Sequence, residues 1–394
     1  MSELKLSDRV QRIKPSPTLA VTSRAAELRA QGKDIIGLGA GEPDFDTPDH
    51  IKEAAIDAIR QGKTKYTAVD GTPGLKKAII AKFKDQNGLD YDANQILVSC
   101  GGKQSFFNMA LAFLNDGDEA IIPAPYWVSY PDMVLAAGGE PVIIETTVEA
   151  RFKITPAQLE KAITPKTRLF VINSPSNPSG IAYSEEELKA LGDVLLKHPD
   201  ILVATDDMYE HILWTGKPFV NIVNACPELY DRTIVMNGVS KAYSMTGWRI
   251  GYAGGPQKLI NAMKKVQSQS TSNPASISQA AAEAALAGSQ DCVKEMVVAF
   301  KERHDWLVAA LNELPGVTCL QGDGTFYAFA DFSGAIKALG LKDDLEFTAK
   351  LLDGGVALVP GSAFGAPGCA RLSFAVSLDT LKAAIDRISA VLSK

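Results

Sequence analysis

Between residues 95 and 254 this 394-residue chain repeats one pattern: a short apolar run, a turn rich in small or polar residues, and a helical stretch. The apolar runs are Gln95–Cys100, Glu119–Ile122, Glu140–Ile144, Arg168–Asn173, Ile201–Thr205, Thr233–Met236 and Arg249–Ala253. Helices are expected at Ser105–Leu114 and, opened by the capping box Ser184-x-x-Glu187, up to about Lys197. Alternation of this kind predicts an α/β domain around a mainly parallel sheet, because parallel neighbours need a crossover long enough to hold a helix.

The two ends of the chain read differently. Pro15 and Pro17 predict an extended segment over Arg12–Thr18, followed by a helix over Ala20–Ala30 and a short strand at Ile35–Gly39. Helices are predicted next at Ile51–Gln61 and Leu75–Asp85. Beyond about residue 275 come helices at Ile277–Ala287 and Cys292–Leu314. Strands at Thr325–Ala330, Gly355–Val359 and Ala370–Phe374 follow, with a last helix over Leu378–Leu392. The expected division is 1–45 as an arm and first part of a small domain, 46–290 as the large domain, and 291–394 as the rest of a small α+β domain. At 394 residues the chain is too long for one simple core and suits this division.

Hydrophobic residues make up 46% and charged residues 22%, which is ordinary globular material. A net charge of −6 argues against nucleic acid or a polybasic membrane surface as partner. The five cysteines, Cys100, Cys226, Cys292, Cys319 and Cys369, lack CxxC spacing and read as reduced thiols, neither disulfides nor metal ligands. No apolar leader or membrane-length run is visible, so a cytoplasmic location is expected.

Ligands of open α/β sheets collect at the carboxyl ends of the strands. Here those ends carry Gly101-Gly102-Lys103, Trp127, Asn177, Asp206 with Tyr209, and Ser240-Lys241. A glycine pair opening a helix suits a phosphate, although a tight strand–helix turn needs glycine too, and the spacing is not that of a nucleotide-binding P-loop. Lys241 follows a buried strand among small residues, with Arg249 eight positions on. Desolvation and a neighbouring cation would make its amine nucleophilic; on a solvated loop it would be an ordinary lysine. Asp206 and Asp207 stand side by side, and the residues alone leave open which one faces a ligand. Trp127 offers either a stacking face or core bulk. Gly37, Gly39 and Gly41 are followed by Pro43 and Pro48, which excludes the helix that a dinucleotide fingerprint requires.

Taken in order, Asn177-Pro-Ser-Gly180, Asp206-x-x-Tyr209, Ser240-Lys241, Arg249 and Arg371 in Ala-Arg-Leu-Ser-Phe resemble the motif set of class I aminotransferases. The segments Lys14-Pro-Ser, Ala40–Pro48, Gly101–Gln104 and Pro125–Pro131 resemble more specifically the subgroup Ib bacterial aspartate aminotransferases. The resemblance runs from about Arg12 to the C-terminus. It implies a fold type I transferase with a mostly parallel seven-stranded central sheet, pyridoxal 5'-phosphate as cofactor, and a homodimer with shared active sites. By the same resemblance Lys241 binds the cofactor and shuttles the substrate proton, Asp206 pairs with the pyridine nitrogen, and Tyr209 and Asn177 bond the phenolic oxygen. Trp127 stacks on the ring. Gly101, Gly102, Lys103, Ser240 and Arg249 hold the phosphate, and Tyr66 reaches that of the neighbouring subunit. Arg371 and Gly41 take the substrate α-carboxylate, near Trp127 and Asn177, while Lys103, Lys14 and Thr18 favour a second carboxylate. Transfer from aspartate to 2-oxoglutarate is the implied reaction, with prephenate as a second substrate. A broad aromatic aminotransferase or a C–S β-lyase would share the cofactor residues. A cofactor-sensing regulator would need a basic DNA-binding extension.

Overall fold

The computed structural model describes residues 4–393; the first three residues of the expected arm lie outside them. Thirteen strands are present among the described residues. The first, β1 (Ile36–Gly37), is followed by the seven of the central sheet: β2 (Ile96–Ser99), β3 (Glu119–Pro123), β4 (Glu140–Ile144), β5 (Thr167–Asn173), β6 (Leu202–Asp206), β7 (Thr233–Gly238) and β8 (Gly251–Gly254). Their order is β2-β8-β7-β6-β5-β3-β4. Pairings from β7 through β4 are parallel, and β8 runs antiparallel to both β7 and β2.

Alternation along each strand divides the sheet into two buried faces. Phe170, Ile172, Val203 and Val235 pack on one side with Ile79, Leu191 and Ala282. Leu169, Val171, Leu202, Ala204, Ile234 and Met236 pack on the other with Phe106, Met109 and Met263. Burying one such large apolar side chain stabilises by roughly 1.5–3 kcal/mol, so both faces hold their helices. Register then lines up the strand ends: Asn173 lies opposite Asp206, and Asp206 opposite Met236.

The second body contains β9 (Thr318–Cys319), β10 (Tyr327–Asp331), β11 (Val356–Ala357), β12 (Val359–Pro360) and β13 (Cys369–Ser373). Four of these form an antiparallel sheet in the order β12-β13-β10-β9, while β11 pairs in parallel with β1. The two ends of the chain therefore meet, over a core that includes Leu38, Phe300, Phe326, Phe347, Leu372 and Ile388.

Several elements differ from expectation. Pro17 does not extend the chain; it occupies the first turn of a helix over Pro17–Ala30 capped by Ser16, where its missing N–H has no cost. Thr18 is consequently helical. The expected strand at Gly355–Val359 is two short strands belonging to different sheets. The strand expected from Arg249 starts at Gly251, because Arg249 has a left-handed backbone (φ 56°). A helix over Gln257–Ser268 was not expected; it buries Leu259, Ile260, Met263 and Gln267 on one stripe. The last helix matches expectation, Leu378–Leu392.

One buried ion pair fixes the turn that follows β6. Lys82 meets the Glu210 carboxylate with side chains 1% and 3% exposed. Asn87 accepts from Lys82 (2.7 Å) and donates to Glu210 (2.7 Å), and Asn237 of β7 also donates to Glu210 (2.9 Å). Burial alone would raise the Glu210 carboxyl; Lys82, His211 and Asn87 outweigh it and hold it below its ordinary range. Replacing Lys82 by Met strands that carboxylate and should cost about 3–5 kcal/mol, whereas Lys82→Met with Glu210→Leu should recover most of the loss. Chemical denaturation midpoints of the single and double variants would show this.

Candidate active site

The carboxyl ends of β5, β6 and β7 open into a cavity of about 230 Å³ that reaches the second body. It is lined by Gly41, Gly102, Lys103, Trp127, Asn177, Asp206, Tyr209, Ser240, Lys241, Arg249 and Arg371, all expected from sequence, and also by Thr18. Three expected residues lie outside the lining. Gly101 sits directly behind it, Lys14 is held through its backbone N–H by Asp132 (2.9 Å), and Tyr66 is 91% exposed on the chain's surface.

At one wall, Gly101 (φ +89°) precedes a helix over Gly102–Phe113 that no side chain caps. A Cβ at Gly101 would come within 2.4 Å of the Arg249 guanidinium, and one at Gly251 within 2.3 Å of the Gly102 nitrogen. Backbone, arginine and helix start are thus packed into a cradle that only glycine permits, with Ser240 beside it and Arg249 held by the Thr246 carbonyl (2.8 Å). Uncapped N–H groups and a guanidinium suit an anion such as a phosphate ester.

Asp206 resolves the choice that sequence left open. Asp207 turns into the core, accepting from Thr205 (2.6 Å) and Asn221 (2.9 Å), and burial with the nearby Glu210 charge pushes its carboxyl up to about 7. Asp206 faces the cavity and accepts from the Tyr130 hydroxyl (2.5 Å) and the Met208 N–H (3.3 Å). Burial raises its carboxyl above the usual range despite those donors and the Lys241 charge. A protonated ring nitrogen is a suitable partner for such a carboxylate.

Lys241 donates to the Gly41 carbonyl (2.5 Å). The residue as a whole is half-buried, and its amine is desolvated. Burial, then the charges of Arg371 and Arg249, bring it down to about 8. Arg371 is 2% exposed and pairs with no carboxylate of the described residues. It donates to Asn177 Oδ1 (2.8 Å) and the Gly39 carbonyl (2.7 Å), lies over the Tyr327 ring (4.3 Å), and leaves its Nε without a partner. A buried guanidinium with an orphan donor beside a cavity is a site for an anion carried in from outside.

Tyr130, Asn173 and Tyr327 were missed in the sequence. Asn173 donates to the Asp206 carbonyl (2.7 Å) and accepts from the Asn177 N–H (2.8 Å), tying two strand ends together. Its place at the end of a buried strand was a signal; Tyr130, in a helix over Ser129–Ala136, gave none.

With this geometry in view, comparison with known proteins is direct. The profile of the family "Aminotransferase class I and II" matches residues 33–388, and the chain belongs to that family. Its members depend on pyridoxal phosphate, and the anion cradle, buried Asp206 and desolvated Lys241 fit that group. A relative from Nitrosomonas europaea named aspartate/prephenate aminotransferase is 64% identical over 99% of this chain and 100% of its own length. An aspartate aminotransferase of Geobacillus stearothermophilus is 50% identical, covering 98% of both chains. The crystal structure of the Rhizobium meliloti aspartate aminotransferase superposes with a TM-score of 0.95 at 50% identity over 99% of each chain. The Thermus thermophilus aspartate aminotransferase with maleate gives 0.93 at 43% identity, over 99% of this chain and 100% of that one. No helix among the described residues is long and apolar enough to cross a membrane.

Two outcomes follow from the electrostatics. In cofactor-free protein, Lys241 should react with an amine-acylating reagent with a midpoint near pH 8, and Arg371→Met should move that midpoint upward. Its folded pKa lies below the unfolded value of about 10.4, so the folded state holds fewer protons in that window and gains stability from this group as pH rises through it. Tyr130→Phe removes a donor to a charged carboxylate, worth about 1.5–3 kcal/mol. Cofactor affinity measured by equilibrium dialysis should fall by roughly 10- to 100-fold.

Proposed function

We propose that this chain is a cytoplasmic, homodimeric aspartate aminotransferase, transferring the amino group of L-aspartate to 2-oxoglutarate, and that it also transaminates prephenate. The observation that carries this reading is Arg371: a buried guanidinium with no protein anion, sharing one cavity with a desolvated lysine. Full-length similarity to proteins named for both substrates supports the substrate choice.

When bound, pyridoxal phosphate supplies an electron sink that stabilises negative charge at the substrate Cα. Lys241 would hold it covalently and, as a free amine, would move the proton at the substrate Cα. An amine near pKa 8 is partly neutral at working pH, as a general base must be. Asp206 would keep the pyridine nitrogen protonated, with the Tyr130 hydroxyl holding Asp206 in place. Tyr209 would donate to the ring's phenolic oxygen, as would Asn177, whose Oδ1 is engaged by Arg371 and whose Nδ2 is left to donate. Trp127, which lines the cavity, would cover the ring face. Gly101, Gly102, Lys103, Ser240 and Arg249 hold the phosphate, and Tyr66, exposed on one subunit, serves the phosphate of the other.

Arg371 clamps the α-carboxylate with help from Gly41. Lys103, which stands over the Trp127 ring (5.1 Å), attracts the second carboxylate. Thr18 lines the same end with its hydroxyl unpartnered, and Lys14 lies on the same segment. The two bodies, divided as 1–45 with 291–394 and 46–290, close around the substrate and exclude water.

Purified protein should show a visible lysine–cofactor chromophore that is lost on adding aspartate and restored by 2-oxoglutarate, and Lys241→Ala should lack both chromophore and turnover. Lys14→Ala should lower kcat/KM for prephenate and aspartate by about 10-fold, equivalent to about 1.4 kcal/mol, while sparing monocarboxylic donors. A chromophore indifferent to aspartate would end this reading.

A further inference from the structure

The hydroxyls of Tyr209 and Tyr327 lie 3.0 Å apart, both buried. The ring of Tyr327 also carries the Arg371 guanidinium, 4.3 Å from its centroid. A Cβ on Gly41 would come within 2.8 Å of the Tyr327 hydroxyl, so this oxygen is confined between Gly41, Tyr209 and the cavity that all three line. Tyr327 belongs to β10 of the second body, Tyr209 to the turn after β6. Their contact is thus a polar bridge from the arginine's own sheet to the cofactor side of the site.

A phenol has one proton to donate. If Tyr209 spends that proton on a partner in the cavity, the remaining arrangement across the 3.0 Å contact has Tyr327 donating to Tyr209. Accepting a hydrogen bond polarises the Tyr209 O–H and strengthens it as a donor. The charged and titratable groups facing Tyr209 are Tyr327 and Arg371 from the second body and Asp206 on its own turn, with Tyr130 and Lys241 also at Asp206.

We propose that Tyr327 is a positioning residue which couples the occupancy of Arg371 to the donor strength of Tyr209, so that carboxylate binding on one side of the cavity is felt at the ring oxygen on the other. The inference rests on the reading of the site given under Proposed function. This coupling runs through one hydroxyl and one ring face, beside the direct Arg371–Asn177 bond that every Tyr327 variant leaves in place, and two substitutions separate its parts: Tyr327→Phe keeps the ring beneath Arg371 and removes the bridge, while Tyr327→Leu removes both.

The experiment follows the pH midpoint of the visible chromophore in holoenzyme, with and without saturating maleate, alongside maleate affinity from the same spectra and the thermal midpoint. Losing a bond that favours the oxyanion raises the midpoint, so Tyr327→Phe should shift it up by about half a pH unit, a threefold change in proton affinity. The further shift that maleate produces in the native enzyme should shrink in Tyr327→Phe, with maleate affinity within about twofold and melting unchanged. Tyr327→Leu should in addition bind maleate about tenfold more weakly, having lost the cation–π surface. A Tyr327→Phe midpoint and maleate response equal to native would overturn the proposal while leaving the aminotransferase reading intact. A native chromophore that does not titrate, or that ignores maleate, would overturn both.

Discussion

The turn from Asp206 to Glu210 has to serve two masters, and the buried Lys82–Glu210 pair decides between them. Asp207 and Glu210 face the core, where Thr205, Asn221, Asn87, Lys82 and Asn237 satisfy them. With those two side chains anchored, Asp206 and Tyr209 have only the cavity left to face. An ion pair of this kind contributes little net stability against an apolar substitute, but it is costly to break on one side. Its effect here is geometric. Asn237 links Glu210 to the end of β7, four residues before Lys241, so the same pair that orients Asp206 also spaces it from the lysine.

Around that turn the site gathers positive charge. Burial first, and then the charges of Arg371 and Arg249, lower the proton affinity of Lys241. Arg371 is denied a carboxylate and given instead a carbonyl, an amide oxygen and two aromatic faces, Tyr327 and Phe364. Those partners solvate a cation without neutralising it, leaving its charge available to an incoming anion. A cavity of this kind is incomplete as protein, and its excess of positive charge suits anionic ligands.

What could be read in the sequence follows from how local the cause is. Strand ends were legible because apolar runs stop visibly at Asn173, Thr205 and Met236, within two residues of the observed ends, and the right-handed crossovers of a parallel sheet bring such ends to one edge. The choice between Asp206 and Asp207 was not legible, since it depends on Lys82 and Asn221, distant in sequence. Tyr130 looked like one aromatic among several in Tyr126–Tyr130, and nothing local shows that its hydroxyl meets Asp206 across the sheet. Pro17 was misread because a proline forbids a helix in its interior and favours one in its first turn; only Ser16 as cap tells the two apart. The helix over Gln257–Ser268 was hidden by its polar composition, with a stripe of Leu259, Ile260 and Met263 between lysines.

The substrate side of the site depends on a contact that no single stretch of chain contains. Gly39 and Gly41 follow β1, which is held in register by β11, more than three hundred residues later. That pairing sets the Gly39 carbonyl against Arg371 and the Gly41 carbonyl against Lys241, so one short loop touches the buried guanidinium and the desolvated amine at once. A side chain at Gly41 would strike Tyr327, and one at Gly39 would press on Val359. Glycine is needed here for close approach, since neither position has a left-handed backbone. The Arg371–Gly39 contact lies within the second body, whereas the Lys241–Gly41 contact joins that body to the end of β7. One short loop thus carries the arginine's backbone acceptor and, two residues on, the lysine's, so a displacement of the second body relative to the sheet would carry Gly39 along with Arg371 while altering the Gly41 contact at Lys241.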